Sequence, residues 1–110
     1  MVPMRSTIRQ LDVVQNPLRA ARGDKPYLVC VQHHALDHLN TRVMVPLVTS
    51  RLVSEASRLQ PAIKFEEATL YFDPTEILTV PIRLMKSPIA SLAAERDRIV
   101  AALDLVFTGV

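Results

Sequence analysis

His33, His34, Asp37 and His38 make the densest group of titratable side chains in the sequence. On a helix His34 and His38 would share a face, the i, i+4 spacing of a metal-binding pair. No cysteine nearby and no second histidine group elsewhere completes a tetrahedral set, so the stretch reads first as a solvated loop, with pH sensing as the other use of clustered imidazoles. Ser50, Ser54, Ser57, Ser87 and Ser91 are available hydroxyls, but none lies in a recognisable elbow beside a base and an orienting third group. Only Gly23 and Gly109 occur, too few for a phosphate-cradling glycine loop, and Glu66-Glu67 reads as a polar turn between strands. Arg42, Arg51 and Arg58 would line a phosphate groove in a ribonuclease; the plainer reading is scattered surface arginines. On these residues alone no catalytic constellation, metal set or cofactor loop stands out, and the ribonuclease stays as the enzyme alternative.

The elements that carry these residues follow from length and punctuation. A chain of 110 residues fits one domain, 1–110, with residues 1–8 reading as a leader not essential to it. Hydrophobic residues at 49% and charged residues at 22% are too apolar for a disordered chain. A net charge of +2, with the basic residues spread along the chain, argues against sequence-specific nucleic-acid binding, which wants a concentrated basic face. The single cysteine, Cys30, has no internal partner and sits in the apolar run Leu28-Val29-Cys30-Val31, as expected in a reducing cytoplasm. No stretch approaches the ~18 apolar residues that span a bilayer, so no membrane role is expected.

Of eight prolines, several fall between short apolar runs and predict a mainly β fold. Strands are expected at Leu11–Val14, Tyr27–Gln32 (buried on both faces), Arg42–Leu47, Ala62–Phe65, Thr69–Asp73 and Ile77–Leu84. Between them lie a polar loop over 19–26 and a second over 33–41. Val43, Val45 and Leu47 alternate with Arg42, Met44 and Pro46, which predicts a strand with one core face; Pro46 cannot donate to a ladder and points to an edge or bulge. Val48 to Gln60 reads as irregular. From Ser87-Pro88 onward Leu92, Ile99, Val100, Leu103, Val106 and Phe107 recur at helical spacing, and Gly109 supplies a stop.

The ending is the least ordinary part. Val106, Phe107 and Val110 place apolar side chains at a terminus, where chains usually fray into water, so they want a surface to pack against. A second copy of the chain or a different protein would supply one; the alternative is that Phe107 folds back on its own sheet.

Leu11-Asp12-Val13 with Asn16-Pro17, Tyr27 to Gln32, Thr41-Arg42-Val43-Met44-Val45-Pro46-Leu47 and the tail Leu103-Asp104-Leu105-Val106-Phe107-Thr108-Gly109-Val110 together resemble the CcdB family of toxins over about nine tenths of the chain. The resemblance implies an SH3-like barrel of the CcdB and MazF type, with antiparallel sheets and one C-terminal helix on which two copies meet. It implies a toxin of a type II toxin–antitoxin system that inhibits DNA gyrase without being an enzyme. The homodimer would bind the topoisomerase's A subunit and trap it on cleaved DNA, and a CcdA-like antitoxin would neutralise it. Carried over, the gyrase-binding residues are Ala35, Leu36, Asp104, Phe107, Thr108, Gly109 and Val110. Family members that poison gyrase typically end Phe-Trp-Gly-Ile; here Thr108 takes the Trp position, and Ala35 replaces a larger aliphatic residue. Two alternatives stand beside this reading: a MazF-like ribonuclease using Arg42 or a neighbouring arginine, and a decayed toxin that only binds an antitoxin as a regulator.

Overall fold

A computed structural model describes residues 7–51 and 58–109. Its described residues form one curled antiparallel sheet and one helix: β1 (Asp12–Gln15), β2 (Tyr27–Cys30), β3 (Thr41–Val48), β4 (Ala62–Phe65), β5 (Ala68–Phe72), β6 (Leu78–Pro81), β7 (Ala90–Ser91) and α1 (Arg96–Thr108). The strand order is β4-β5-β3-β2-β1-β7, with β6 also on β3. β3 serves three neighbours: β2 along one side, and on the other side β6 up to Met44, then β5 from Leu47. Sharing one edge between two strands curls the sheet into a partly closed barrel. The mainly β, SH3-like architecture with a single C-terminal helix is the one expected.

Side-chain alternation sends neighbouring residues of β1, β2 and β3 to opposite faces, and both faces are buried. Val13, Val29, Val45 and Leu47 join Ile63, Phe65, Leu70 and Phe72 beneath α1, which contributes Ile99 and Ala102. Val14, Leu28, Cys30 and Met44 face the other way, onto Val80 and Ile8. β2 is therefore buried on both sides, as predicted. For β3 the prediction of one core face fails: Arg42 is 1% and Met44 0% exposed. The period-two pattern marked which residues share a face but not that the second face is covered, because β6 and the segment at Ile8 close over it.

Pro46 lies in this central strand, not at an edge. The Pro46 carbonyl points away from β2 and accepts from the Asp73 amide at 3.0 Å, so its missing N–H falls on the side where β6 has ended and β5 begins, and no ladder bond is lost. Leu11 precedes β1 instead of opening it, with φ of 72°. Its amide donates to the Cys30 carbonyl and its carbonyl accepts from Leu92. The expected strand over Ile77–Leu84 ends at Pro81 in a short 3-10 turn, Ile82–Leu84, so Val80, Ile82 and Leu84 do not share a strand face.

The helix begins later than Ser87-Pro88. The Ile89 amide donates to Val13 and the Leu92 amide to Leu11, so this segment adds β7 to the free edge of β1 before a 3-10 turn, Ala93–Glu95, leads into α1. Backbone pairing with an open strand edge outweighed the local helical signal of serine and proline. Of the expected irregular segment Val48 to Gln60, residues 52–57 lie outside the described residues. At the other end Ile8 is 3% exposed and its carbonyl accepts from Arg42, so the last residue of the expected leader belongs to the packed core.

Cys30 is 0% exposed, and burial pushes its thiol above the ordinary range. The thiolate being the nucleophile, native protein is expected to resist alkylation at neutral pH and to label at one site once unfolded; rapid labelling of native protein by iodoacetamide, read by mass, would contradict the packing. The raised value favours the folded state below the thiol's unfolded range, and that contribution is lost as pH rises through the folded value.

Candidate functional site

Helix α1 is fixed along one face and bare along the other. Ile99 and Ala102 enter the core, and Leu103 packs against it. Arg98 donates to Glu95 at 2.7 Å and to the Ala62 carbonyl at 2.7 Å, which ties the first turn to β4; Arg96 donates to Gln10 at 3.0 Å. On an exposed flank beside that face Val100, Asp104 and Phe107, spaced by four and three residues, form an outward stripe. Val100 is 40% exposed and Phe107 69%. Phe107 therefore does not fold back on its own sheet.

The helix closes at Gly109, whose φ of 79° is the left-handed conformation that glycine takes without strain and whose amide donates to the Leu105 carbonyl at 3.1 Å. The Thr108 hydroxyl donates to the Asp104 carbonyl at 2.7 Å. These bonds set the direction in which the last turn presents Phe107. Val110 lies outside the described residues.

Ala35 and Leu36 stand on the loop between β2 and β3, in a 3-10 turn, His34–Leu36. His33 caps that turn: its Nδ1 accepts from the Ala35 amide at 3.0 Å, and its ring lies 4.1 Å from that of His34. The histidines are exposed, and the Asp37 amide closes the turn onto the His34 carbonyl. Among the described residues no group of three or more His, Cys, Asp or Glu side chains is placed to hold a metal ion. Leu36 is 44% exposed, and Leu39, which the sequence reading did not single out, is 41% exposed. Its spacing of three from Leu36 was the available signal. The loop and the end of α1 are carried by elements that do not pack closely on one another within one chain.

Two further features were not foreseen. Arg42, expected at the surface, is buried: its Nε, Nη1 and Nη2 donate to the carbonyls of Ile8, Leu39, Thr41 and Asp37 at 2.8–3.0 Å. A cleft of about 570 Å³ opens between the 16–25 loop and β6, lined by Leu18, Leu28, Ile77, Val80 and Leu84, with the Lys25–Glu76 ion pair on its wall. The hydrogen bond to Glu76 holds the Lys25 ammonium above its ordinary value. Both partners are more than a third exposed, so solvent screens the pair.

A sheet curled around a long shared strand, a terminal helix with a bare apolar end, and an apolar loop after β2 are an arrangement for contact with another protein. The sequence model of the family described as CcdB protein matches residues 10–109. The chain belongs to the CcdB family. This CcdB-family protein is thereby one of the toxins of toxin–antitoxin systems. Among solved structures it is similar to an endoribonuclease from Mycobacterial species, at a TM-score of 0.70 and 19% identity over 93% of this chain and 92% of that one. It is also similar to an endoribonuclease in complex with its cognate antitoxin from Mycobacterial species, at 0.69 and 21% identity over 87% and 90%. A third, the Mycobacterium tuberculosis toxin MazF-mt6, matches at 0.65 and 13% identity over 90% and 96%. At these identities the likeness is one of fold, the barrel common to CcdB and MazF.

Proposed function

We propose that this CcdB-family protein acts as a homodimer that binds the A subunit of DNA gyrase and traps the enzyme on cleaved DNA, blocking replication. The observation that carries the reading is Phe107, an aromatic ring 69% exposed on the last turn of a helix whose inner face is anchored in the core. A two-fold axis beside that helix doubles the patch, and a few aromatic anchors then dominate the interface. Ala35, Leu36, Asp104, Thr108, Gly109 and Val110 complete the contact set. No bond is made or broken by this protein; it acts by holding its target in one state. A CcdA-like antitoxin is its expected regulator, in keeping with the cognate antitoxin bound to one structure of similar fold, and the reducing cytoplasm is its expected compartment.

The ribonuclease reading draws on the fold alone, and a shared fold does not fix function. It loses its best arginine, because Arg42 spends four of its five N–H donors on backbone carbonyls and is closed to phosphate.

Thr108 gives the reading its most specific test. Its hydroxyl is engaged with the helix carbonyl of Asp104, so the position offers a partner little apolar area. Thr108→Trp adds a large exposed ring at no cost to the core, and it is expected to tighten binding to the isolated gyrase A subunit by about tenfold or more, measured by calorimetry. Unchanged binding in a folded Thr108→Trp protein would remove position 108 from the interface, and weaker binding would show that the partner has no pocket for a ring there.

A further inference from the structure

The loop over 33–40 is built inside out. Its apolar side chains Leu36 and Leu39 face solvent, while the carbonyls of Leu36, Asp37 and Leu39 accept from two buried polar side chains, Gln32 and Arg42. Arg42, at the start of β3, takes the carbonyls of Asp37, Leu39 and Thr41 and reaches back to that of Ile8. Gln32, just beyond β2 and 6% exposed, donates to the carbonyls of Leu36 at 3.1 Å and Thr41 at 3.2 Å, and accepts from the Val43 amide at 3.2 Å. Among the described residues no carboxylate forms an ion pair with Arg42.

Burying an arginine against carbonyls alone is an expensive way to close a short loop, since an apolar side chain at position 42 would escape the desolvation cost. What the arrangement secures is direction. With the carbonyls of Leu36, Asp37 and Leu39 held from inside, the loop is kept in the shape that leaves its leucines in solvent before any partner arrives. A loop already fixed in its bound shape loses less conformational freedom on binding.

We propose that Gln32 and Arg42 are positioning residues that hold the 33–40 loop rigid, with Leu36 and Leu39 presented as a preformed apolar contact. Leu39 thereby joins the contact surface. The rigidity follows from the hydrogen bonds; the part of the proposal that concerns binding rests on the gyrase reading above.

The test is amide hydrogen exchange on the full chain, paired with affinity for the gyrase A subunit. In the wild type the Leu36, Asp37 and Leu39 amides, which donate to His33, His34 and Leu36, are expected to exchange at least about a hundredfold more slowly than in an unstructured peptide. Unprotected amides there overturn the proposal without any variant. Gln32→Met, a neutral side chain of similar length, is expected to speed loop exchange about tenfold or more, leave the amides of Val29 and Val45 unchanged, and weaken gyrase A binding about tenfold. Arg42→Lys keeps the charge but cannot fork to four carbonyls; it should act in the same direction and further. Acceleration spread evenly over β2 and β3, or a loosened loop with unchanged affinity, would reduce both residues to parts of the fold. If wild-type protein fails to bind gyrase A at all, the functional reading falls, and the exchange result alone still decides whether the loop is clamped.

Discussion

Replacing Phe107 with alanine is expected to weaken binding to the gyrase A subunit by about thirtyfold or more, the loss typical of an interface anchor of about 2 kcal/mol, while leaving the urea midpoint unchanged. The ring is 69% exposed, so its removal opens no cavity and takes almost nothing from the folded state of one chain. In the proposed homodimer each copy would contribute its own helix end, so the substitution would remove two anchors at once. Gly109→Glu should act on the same patch by another route. A β-carbon at Gly109 meets nothing within 4 Å, so the substitution does not clash, but φ of 79° costs a non-glycine residue about 1–2 kcal/mol and puts a charge where a partner must approach. Because Gly109 is past the last helical residue, that strain is released by redirecting the terminus and not by unfolding the barrel. Binding retained in both variants, with the fold intact by circular dichroism, would show that the helix end is not the contact.

Phe72→Ala is the opposite case and carries the largest effect on stability. The Phe72 side chain is 0% exposed in the core cluster beneath α1, with Ile63, Leu47 and Ile99 as fellow members. Removing it is expected to cost about 3–5 kcal/mol, transfer free energy and residual cavity together. Against a total of about 5–15 kcal/mol for a domain, that leaves a protein close to its threshold, with a large drop in the urea midpoint. A drop smaller than about 1 kcal/mol would mean that α1 does not close over this face as described. Phe72 and Phe107 thus separate stability from contact: one phenylalanine holds the helix on the sheet, and the other is held out by it.

How far the sequence could be read depended on whether the deciding interaction was local. Val13, Val29 and Ile63 announced strands through short apolar runs between turn residues and Val45 through period-two alternation, while Gly109 announced the helix stop, because a left-handed residue is a local requirement that glycine meets. Tyr27 to Cys30 read correctly as buried on both faces because it is continuously apolar. Arg42 and Pro46 misled because each is tolerated only through tertiary partners: the loop carbonyls for the arginine, and the handover from β6 to β5 for the proline. The helix start was misplaced because Ser87-Pro88 imitates a cap, whereas the amides of Ile89 and Leu92 are claimed by Val13 in β1 and by Leu11 just before it, residues far earlier in the chain. At the candidate site, Phe107 was legible as an apolar residue near a terminus, and Leu36 only through the resemblance to the CcdB family. Leu39 was missed although its spacing of three from Leu36 was there to read, and the clamp of Gln32 and Arg42 was not legible, since nothing in the sequence of the 33–40 loop says which way its carbonyls point.

The ending itself bears on specificity. With Thr108 and Ala35 small, the exposed apolar area falls on Phe107, Leu36 and Leu39, and on the gyrase reading a target would need a pocket matched to those side chains. Low affinity for an unmatched gyrase and tight binding to that of the same source would be one consistent outcome.

The most direct measurement is a DNA cleavage assay with purified protein, gyrase from the same source, supercoiled plasmid and ATP, scored for linear DNA released after detergent and protease. The account predicts linear DNA that increases with toxin concentration and disappears when residues 107–110 are deleted. Absence of cleavage across a wide concentration range would contradict gyrase poisoning, and would leave a CcdB-family protein that serves as an antitoxin-binding regulator or acts on RNA.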